Sequence, residues 1–257
     1  MAVRFEKQDA IGHVVLDRPP ANSYDRAFME ELETAIDAAA KDDQVRAILV
    51  RSASEKFFSA GADVSVFAKS DLDTQNAFVV CANGAMGKFE STPKVVIAAI
   101  NGHCLGGGLE IALCCDFRIA AEGTYKIGLP EVSLGLLPGT GGTQRLPRLI
   151  GRQKALALML RGTTLSPLEA RDAGIVDELV PAADLQARAV AMAQEFAAGP
   201  SYARGQIKLA AVQGFGKPLE EGLAIERAAL IRLFKSADAR EGVTAFVEKR
   251  KPDYKGR

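Results

Sequence analysis

The 257-residue sequence contains no tryptophan, only two histidines and four cysteines, and its 32 Lys and Arg cancel its 32 Asp and Glu. Zero formal net charge removes any general attraction to nucleic acid or an anionic membrane, so an anion-binding site has to be local. Cys81, Cys104, Cys114 and Cys115 form no Cys-x-x-Cys pair, and adjacent cysteines are neither a usual disulfide nor a zinc framework. They read as small apolar packing residues of a reducing compartment. His13 and His103 stand alone as histidines, and no Gly-x-Ser-x-Gly elbow exists, so a Ser-His-Asp hydrolase lacks its parts. No apolar run reaches membrane-spanning length, and Met1–Lys7 has no signal-peptide core. The expectation is a cytoplasmic protein with no nucleic-acid or membrane partner and no metal site.

What is present is an ordinary globular balance, 48% hydrophobic and 25% charged, in a chain long enough for one large domain or a domain with an appendage. Residues 11–17 alternate as a strand that Arg18-Pro19-Pro20 ends. Ser23 or Asp25 can cap a helix to about Ala40, with Phe28, Leu32 and Ile36 on one face. Residues 45–50 form a second strand, 56–64 a strand and glycine turn, and 72–90 a helix irregular at its start. The almost wholly apolar 94–100 reads as a strand buried on both faces. Asn101-Gly102 turns the chain into a helix over 106–115, followed by a buried strand at 117–120. Repeated strand–turn–helix units predict a layered α/β core. A helix around 145–150, a helix opening at Ser166-Pro167 and a strand at 176–180 follow. From Ala183 the pattern is helical, broken at Gly199-Pro200, 214–218 and Ser236, and the change to an all-helical region is placed near 195–200.

Two segments concentrate the chemistry: Phe58-Ser59-Ala60-Gly61-Ala62-Asp63, and Gly106-Gly107-Gly108-Leu109-Glu110 with Pro130-Glu131 some twenty residues on. Glycine and alanine let backbone approach a ligand closely. The second segment also sets a carboxylate one turn past a helix start, where free N–H groups favour negative charge. Two N–H groups aimed at one carbonyl make an oxyanion hole, and two glutamates beside it make an acid/base pair. Apolar Leu109, Ile111 and Leu113 around Glu110 predict burial, not the solvated position usual for a first-turn glutamate. Such parts suit chemistry next to a thioester carbonyl. Gly139–Gly142 is not a dinucleotide fingerprint, because position 144 is Gln, and it reads as a wall of the site. His103 reads as a loop residue near the site and His13 as a strand residue.

Together Ser59–Asp63, Asn101–Glu110, Leu129-Pro130-Glu131 and the PGTGGTQRL run of Pro138–Leu146 resemble the enoyl-CoA hydratase/isomerase, or crotonase, superfamily over nearly the full length. Four motifs in the family's order make the resemblance specific. It implies a crotonase-type spiral of ββα units over 1–195. A C-terminal helical region over 196–257 would serve trimerisation and cap the site, in trimers often paired into hexamers. It places oxyanion-hole N–H groups on Ala62 and Gly107 and the catalytic glutamates on Glu110 and Glu131. Ala60, Asp63 and Val64 would meet the CoA adenine, and Lys56 and Lys249 its phosphates, Lys249 reaching in from a neighbouring subunit. Phe67, Leu72, Pro138 and Gly139 would line the acyl pocket.

Both glutamates are present, which favours a short-chain 2-enoyl-CoA hydratase needing no cofactor beyond the CoA of its substrate. A Δ3-Δ2 isomerase, another acyl-CoA lyase, and a non-catalytic acyl-CoA or RNA binder are the alternatives. Ser65 stands where many hydratases carry a lysine. The acyl group, and whether the pathway degrades fatty acids, amino acids or aromatics, are left open.

Overall fold

A computed structural model describes residues 1–256. The chain opens with an antiparallel hairpin, β1 (Val3–Gln8) and β2 (Ile11–Leu16). Asp25 accepts the Phe28 N–H and caps α1 (Arg26–Lys41), whose Phe28, Leu32 and Ile36 are buried in the core. A repeating unit then begins. β3 (Ala47–Ser52) and β4 (Phe57–Ser59) lead through the short α2 (Val64–Phe67) to α3 (Leu72–Ser91). β5 (Val95–Ile100), β6 (His103–Leu105) and α4 (Gly107–Leu113) repeat the pattern. So do β7 (Phe117–Ala121) and β8 (Ile127–Gly128), followed by a 3-10 turn at Glu131–Leu134 and by α5 (Gly142–Ile150) and α6 (Arg152–Arg161). β9 (Thr164–Leu165), α7 (Pro167–Asp172) and β10 (Glu178–Val180) complete the sheets.

The first strand of each unit joins a six-stranded sheet of order β1-β2-β3-β5-β7-β10; the second joins a four-stranded sheet of order β4-β6-β8-β9. Apart from the β1–β2 and β8–β9 pairs, all neighbours are parallel. The chain therefore alternates between two sheets and returns by a helix, which is a ββα spiral. Every residue of β5 is buried, as a parallel strand with neighbours on both sides and layers on both faces requires. His13 lies buried on β2.

The structure differs from the sequence reading at several places. β1, α2, β6, β8, α6 and β9 are additional elements. α3 is regular from Leu72, because Asp71 accepts the Thr74 N–H as its N-cap. α5 starts at Gly142, three residues earlier than expected, with Gly141 in the left-handed region at its cap. His103 lies on a strand, its ring against Phe57 and its Nδ1 accepting the Lys126 N–H, and it does not line the cavity described below.

The last strand ends at Val180, so the chain is free of strands earlier than 195–200. α8 (Leu185–Ala198) nevertheless packs on β3, β5 and β7. α9 (Ser201–Gly214) is fastened to the core by buried Lys208, whose ammonium meets Asp116 at 2.8 Å and donates to the Phe89 and Lys94 carbonyls. α10 (Leu219–Phe234) packs chiefly on α9, and α11 (Ala237–Glu248) closes the chain. These last helices leave Phe215, Leu219, Phe234 and Phe246 exposed.

Gly108 shows how tightly the units interlock: a methyl there would sit 2.2 Å from the Ser59 carbonyl oxygen. Backbone cannot yield as a flexible side chain can. Gly108→Ala should therefore cost about 1–3 kcal/mol or more of stability in urea denaturation. An unchanged midpoint would contradict the close packing of α4 on β4.

Candidate active site

The register of the small sheet builds the site. Ser59 on β4 pairs with Cys104 on β6, and Leu105 pairs with Gly128 on β8. Segments far apart in sequence thus leave the sheet side by side: Ala60–Asp63, Gly106–Glu110 and Leu129–Glu131. Gly61 has φ +89°, and a methyl on it would lie 2.8 Å from both the Gly107 nitrogen and the Leu105 oxygen. Only glycine permits that approach. Among the described residues, neither the Ala62 N–H nor the Gly107 N–H donates to any acceptor. Gly107 begins α4, so its N–H is one of the helix's free donors, at the positive end of the dipole.

Glu110 is 2% exposed. Its Oε1 accepts from the Thr140 N–H at 2.8 Å and the Gly142 N–H at 2.7 Å, and its Oε2 accepts from the Thr140 hydroxyl. Burial raises its pKa, and these hydrogen bonds pull in the opposite direction. Glu131 follows Pro130 into the 3-10 turn. Its Oε1 would be 3.0 Å from a methyl on Gly106, and its Oε2 is buried with no hydrogen-bond partner among the described residues. Burial pushes it up to about 7, with the Glu110 charge adding to the effect. The two carboxyls therefore differ in kind: one is held by three donors, the other has a buried oxygen that no donor among the described residues reaches.

Both glutamates open on a cavity of about 630 Å³. Ala60, Ala62, Val64, Phe67, Leu72, Gly107 and Gly139 line it, together with Tyr24 and Phe78. Leu134, Leu136 and Leu137 bring largely exposed apolar surface to the same cavity. Pro138 does not line it. It is buried behind the loop, where its Cβ would meet a methyl on Gly142 at 2.7 Å. Asp63 is the N-cap of α2, and its Oδ1 accepts from the Ser65 N–H and hydroxyl at 3.1 and 2.7 Å. Ser65 is thus turned toward Asp63. Lys56 and Lys249 are exposed and outside the cavity, Lys249 in the left-handed region at the end of α11. Another cavity of about 650 Å³ lies between α5 and α9, lined by Arg145, Arg148 and Phe215 among others, and contains neither glutamate.

Thr140, Gly142 and Tyr24 are the site residues that sequence reasoning missed. Gly139–Gly142 is expected as a wall, and Gly139 and Thr140 do line the cavity, but the Thr140 and Gly142 amides also hold Glu110. The signal available was a threonine among glycines ahead of a helix, where N–H groups are free.

The raised Glu131 pKa has a sign for stability. Between its ordinary value of 4.5 and about 7, the folded protein holds a proton that the unfolded chain has lost, so this group makes stability fall as pH rises through that window. Glu131→Gln removes the effect. In urea denaturation the variant should gain on wild type by about 1–2 kcal/mol between pH 5 and pH 8, a figure reduced for solvent screening. A gap independent of pH would contradict the burial assigned to this carboxyl.

The family model described as enoyl-CoA hydratase/isomerase matches residues 6–257. A Mycobacterium bovis protein named "Probable enoyl-CoA hydratase echA8" is 39% identical over 98% of this chain and 97% of its own length. "Enoyl-CoA isomerase/hydratase fer4" of Mycosarcoma maydis is 38% identical over 95% of this chain and 92% of its own. The crystal structure of an enoyl-CoA hydratase from Geobacillus kaustophilus superimposes with a TM-score of 0.97 at 41% identity, covering 100% of this chain and 97% of the other. One from Bacillus anthracis gives 0.93 at 37% identity over the whole of both chains. With its spiral of ββα units and its motifs in place over the whole length, the chain belongs to the enoyl-CoA hydratase/isomerase family.

Proposed function

We propose that the protein is an enoyl-CoA hydratase, adding water reversibly across the 2,3 double bond of a 2-enoyl-CoA to give a 3-hydroxyacyl-CoA. The observation that carries this reading is one cavity holding two unpaired N–H groups and two carboxyls in unlike environments. The Ala62 and Gly107 N–H groups would bind the thioester oxygen. That polarises the conjugated bond, makes C3 electrophilic and stabilises the enolate formed on attack. Glu110, held by three donors, would take a proton from water as its oxygen bonds to C3. Glu131, near 7 and with a free oxygen, would deliver a proton to C2. The oxygen and one proton of the water go to C3, and C2 gains a proton from Glu131. The proton taken by Glu110 restores the balance through solvent. The proposal includes no metal or redox cofactor.

The CoA contacts belong to the same proposal. Ala60, Asp63 and Val64 would flank the CoA path, and Phe67, Leu72, Gly139 and the 134–137 leucines the acyl and pantetheine portion. Lys56 and Lys249 would approach the phosphates once further copies assemble. Residues 1–195 would form the catalytic core, and residues 196–257 would join copies into a trimer or hexamer. The exposed Phe215, Leu219, Phe234 and Phe246 support this, since water-facing aromatic and leucine side chains on adjoining helices favour cover. Fatty-acid degradation is the proposed setting. No helix among the described residues is long and apolar enough to cross a membrane, and the four unpaired cysteines suit the proposed cytoplasmic location.

Crotonyl-CoA should lose its conjugated absorbance rapidly with wild type. Glu110→Gln and Glu131→Gln should each lower kcat by about 10²–10⁴ while CoA-thioester binding persists. Near-normal rates in either variant would remove the role assigned to that residue. Faster conversion of a 3-enoyl-CoA to its 2-enoyl isomer than hydration of the 2-enoyl-CoA would replace the hydratase reading with an isomerase.

A further inference from the structure

Tyr24 connects all three parts of this site. It lies between the Pro19-Pro20 turn and α1, is 1% exposed, and lines the cavity with one edge. Its backbone pairs with the oxyanion segment: the Tyr24 N–H donates to the Gly61 carbonyl at 2.9 Å, and the Asp63 N–H to the Tyr24 carbonyl at 2.8 Å. The Ala62 N–H is thereby fixed between two hydrogen bonds. Its side chain reaches α4, where a methyl on Gly107 would fall 1.7 Å from the phenol oxygen. That oxygen occupies the space any side chain at 107 would need. The hydroxyl then meets the Thr140 Oγ1 at 3.3 Å, and Thr140 Oγ1 meets Glu110 Oε2. Stacking on Phe78, with ring centroids 5.9 Å apart, holds the ring in this pose.

The direction of the hydrogen-bond chain follows from the charge at its end. An ionised Glu110 only accepts, so Thr140 must donate its single hydroxyl proton to it. The Thr140 oxygen is then left to accept, and Tyr24 is placed to donate. Burial and the Glu110 charge raise the Tyr24 pKa far above its ordinary value, so the phenol keeps its proton. The titratable groups facing Glu110 besides Tyr24 are Glu131, Cys114 and Arg145. Arg145 is bound by both arms to Glu90 and also donates to the Thr140 carbonyl.

We infer that Tyr24 is a positioning residue for hydration. Its hydroxyl orients Thr140 so that Glu110 stays ionised and aimed at water, while its backbone sets the Ala62 donor. The inference rests on the hydratase reading of the site. The phenol does not touch the reacting atoms. It fixes which way a neighbouring proton points.

Tyr24→Phe keeps the ring and removes only the donor. With crotonyl-CoA we expect kcat to fall about five- to tenfold, the worth of one net hydrogen bond, with KM within twofold. The acid limb of the kcat profile should move up by about half a pH unit, because Glu110 loses support for its charged form. Infrared titration of the Glu110 carboxyl, assigned by its loss in Glu110→Gln, should show the same upward shift without substrate. Thr140→Val should reproduce both effects, and adding Tyr24→Phe to it should add nothing. A Tyr24→Phe variant that loses thermal stability yet keeps wild-type kcat and Glu110 titration would overturn the inference, as would an additional loss in the double variant. Should wild type fail to hydrate any 2-enoyl-CoA, the hydratase reading falls, and the infrared titration still decides the role of Tyr24.

Discussion

The close approach of two backbone segments, Gly61–Ala62 and Gly106–Gly108, is the constraint on which the rest of the site depends. A methyl at Gly61, Gly107 or Gly108 would collide with backbone or with the Tyr24 hydroxyl. These glycines hold β4 and α4 in contact while leaving the Ala62 and Gly107 N–H groups without acceptors among the described residues. An N–H without an acceptor is costly wherever water cannot reach it, so both groups are ready to bind an incoming acceptor. The spiral supports the arrangement because each turn adds one strand to each sheet. The ends of β4, β6 and β8 consequently lie in one row.

The two carboxyls illustrate how identical side chains acquire different chemistry. Each is desolvated, which raises both pKa values. Glu110 receives two backbone N–H bonds and a hydroxyl bond, which favour its charged form. Glu131 keeps an oxygen without any partner. The difference between their surroundings thus resides in the loop 139–142, which comes from a third region of the chain. Arg145, paired with Glu90 at 2.7–2.8 Å, donates to the Thr140 carbonyl of the same loop.

The motifs were legible because glycine at a tight approach and glutamate within an apolar helix are unusual choices. Glu110 flanked by Leu109 and Ile111 announces a buried acid. The all-apolar β5 announces a strand covered on both faces. Less was legible where the decisive partner is distant. β6 has three residues and no pattern of its own, and it exists because β4 and β8 pair with it. Tyr24 reads as an ordinary aromatic ahead of a helix until the fold sets its hydroxyl against Gly107 and Thr140. Pro138 belongs to a recognisable glycine-rich run, yet it is buried against Gly142 and does not line the cavity.

By itself the sequence determined the family, the alternation of strands and helices, the buried character of Glu110 and the glycines that let backbone approach backbone. Those properties are local: they depend on side-chain size, on hydrophobic periodicity and on which residues tolerate a positive φ. Only the tertiary structure decided that Thr140 and Gly142 hold Glu110, that Glu131 keeps an oxygen without a partner among the described residues, that Tyr24 links the Gly61–Asp63 segment to Thr140, and that Lys56 and Lys249 stand outside the cavity. Each of these is set by the register between segments tens of residues apart. That register is fixed by the packing of the two sheets as a whole, which no local pattern encodes.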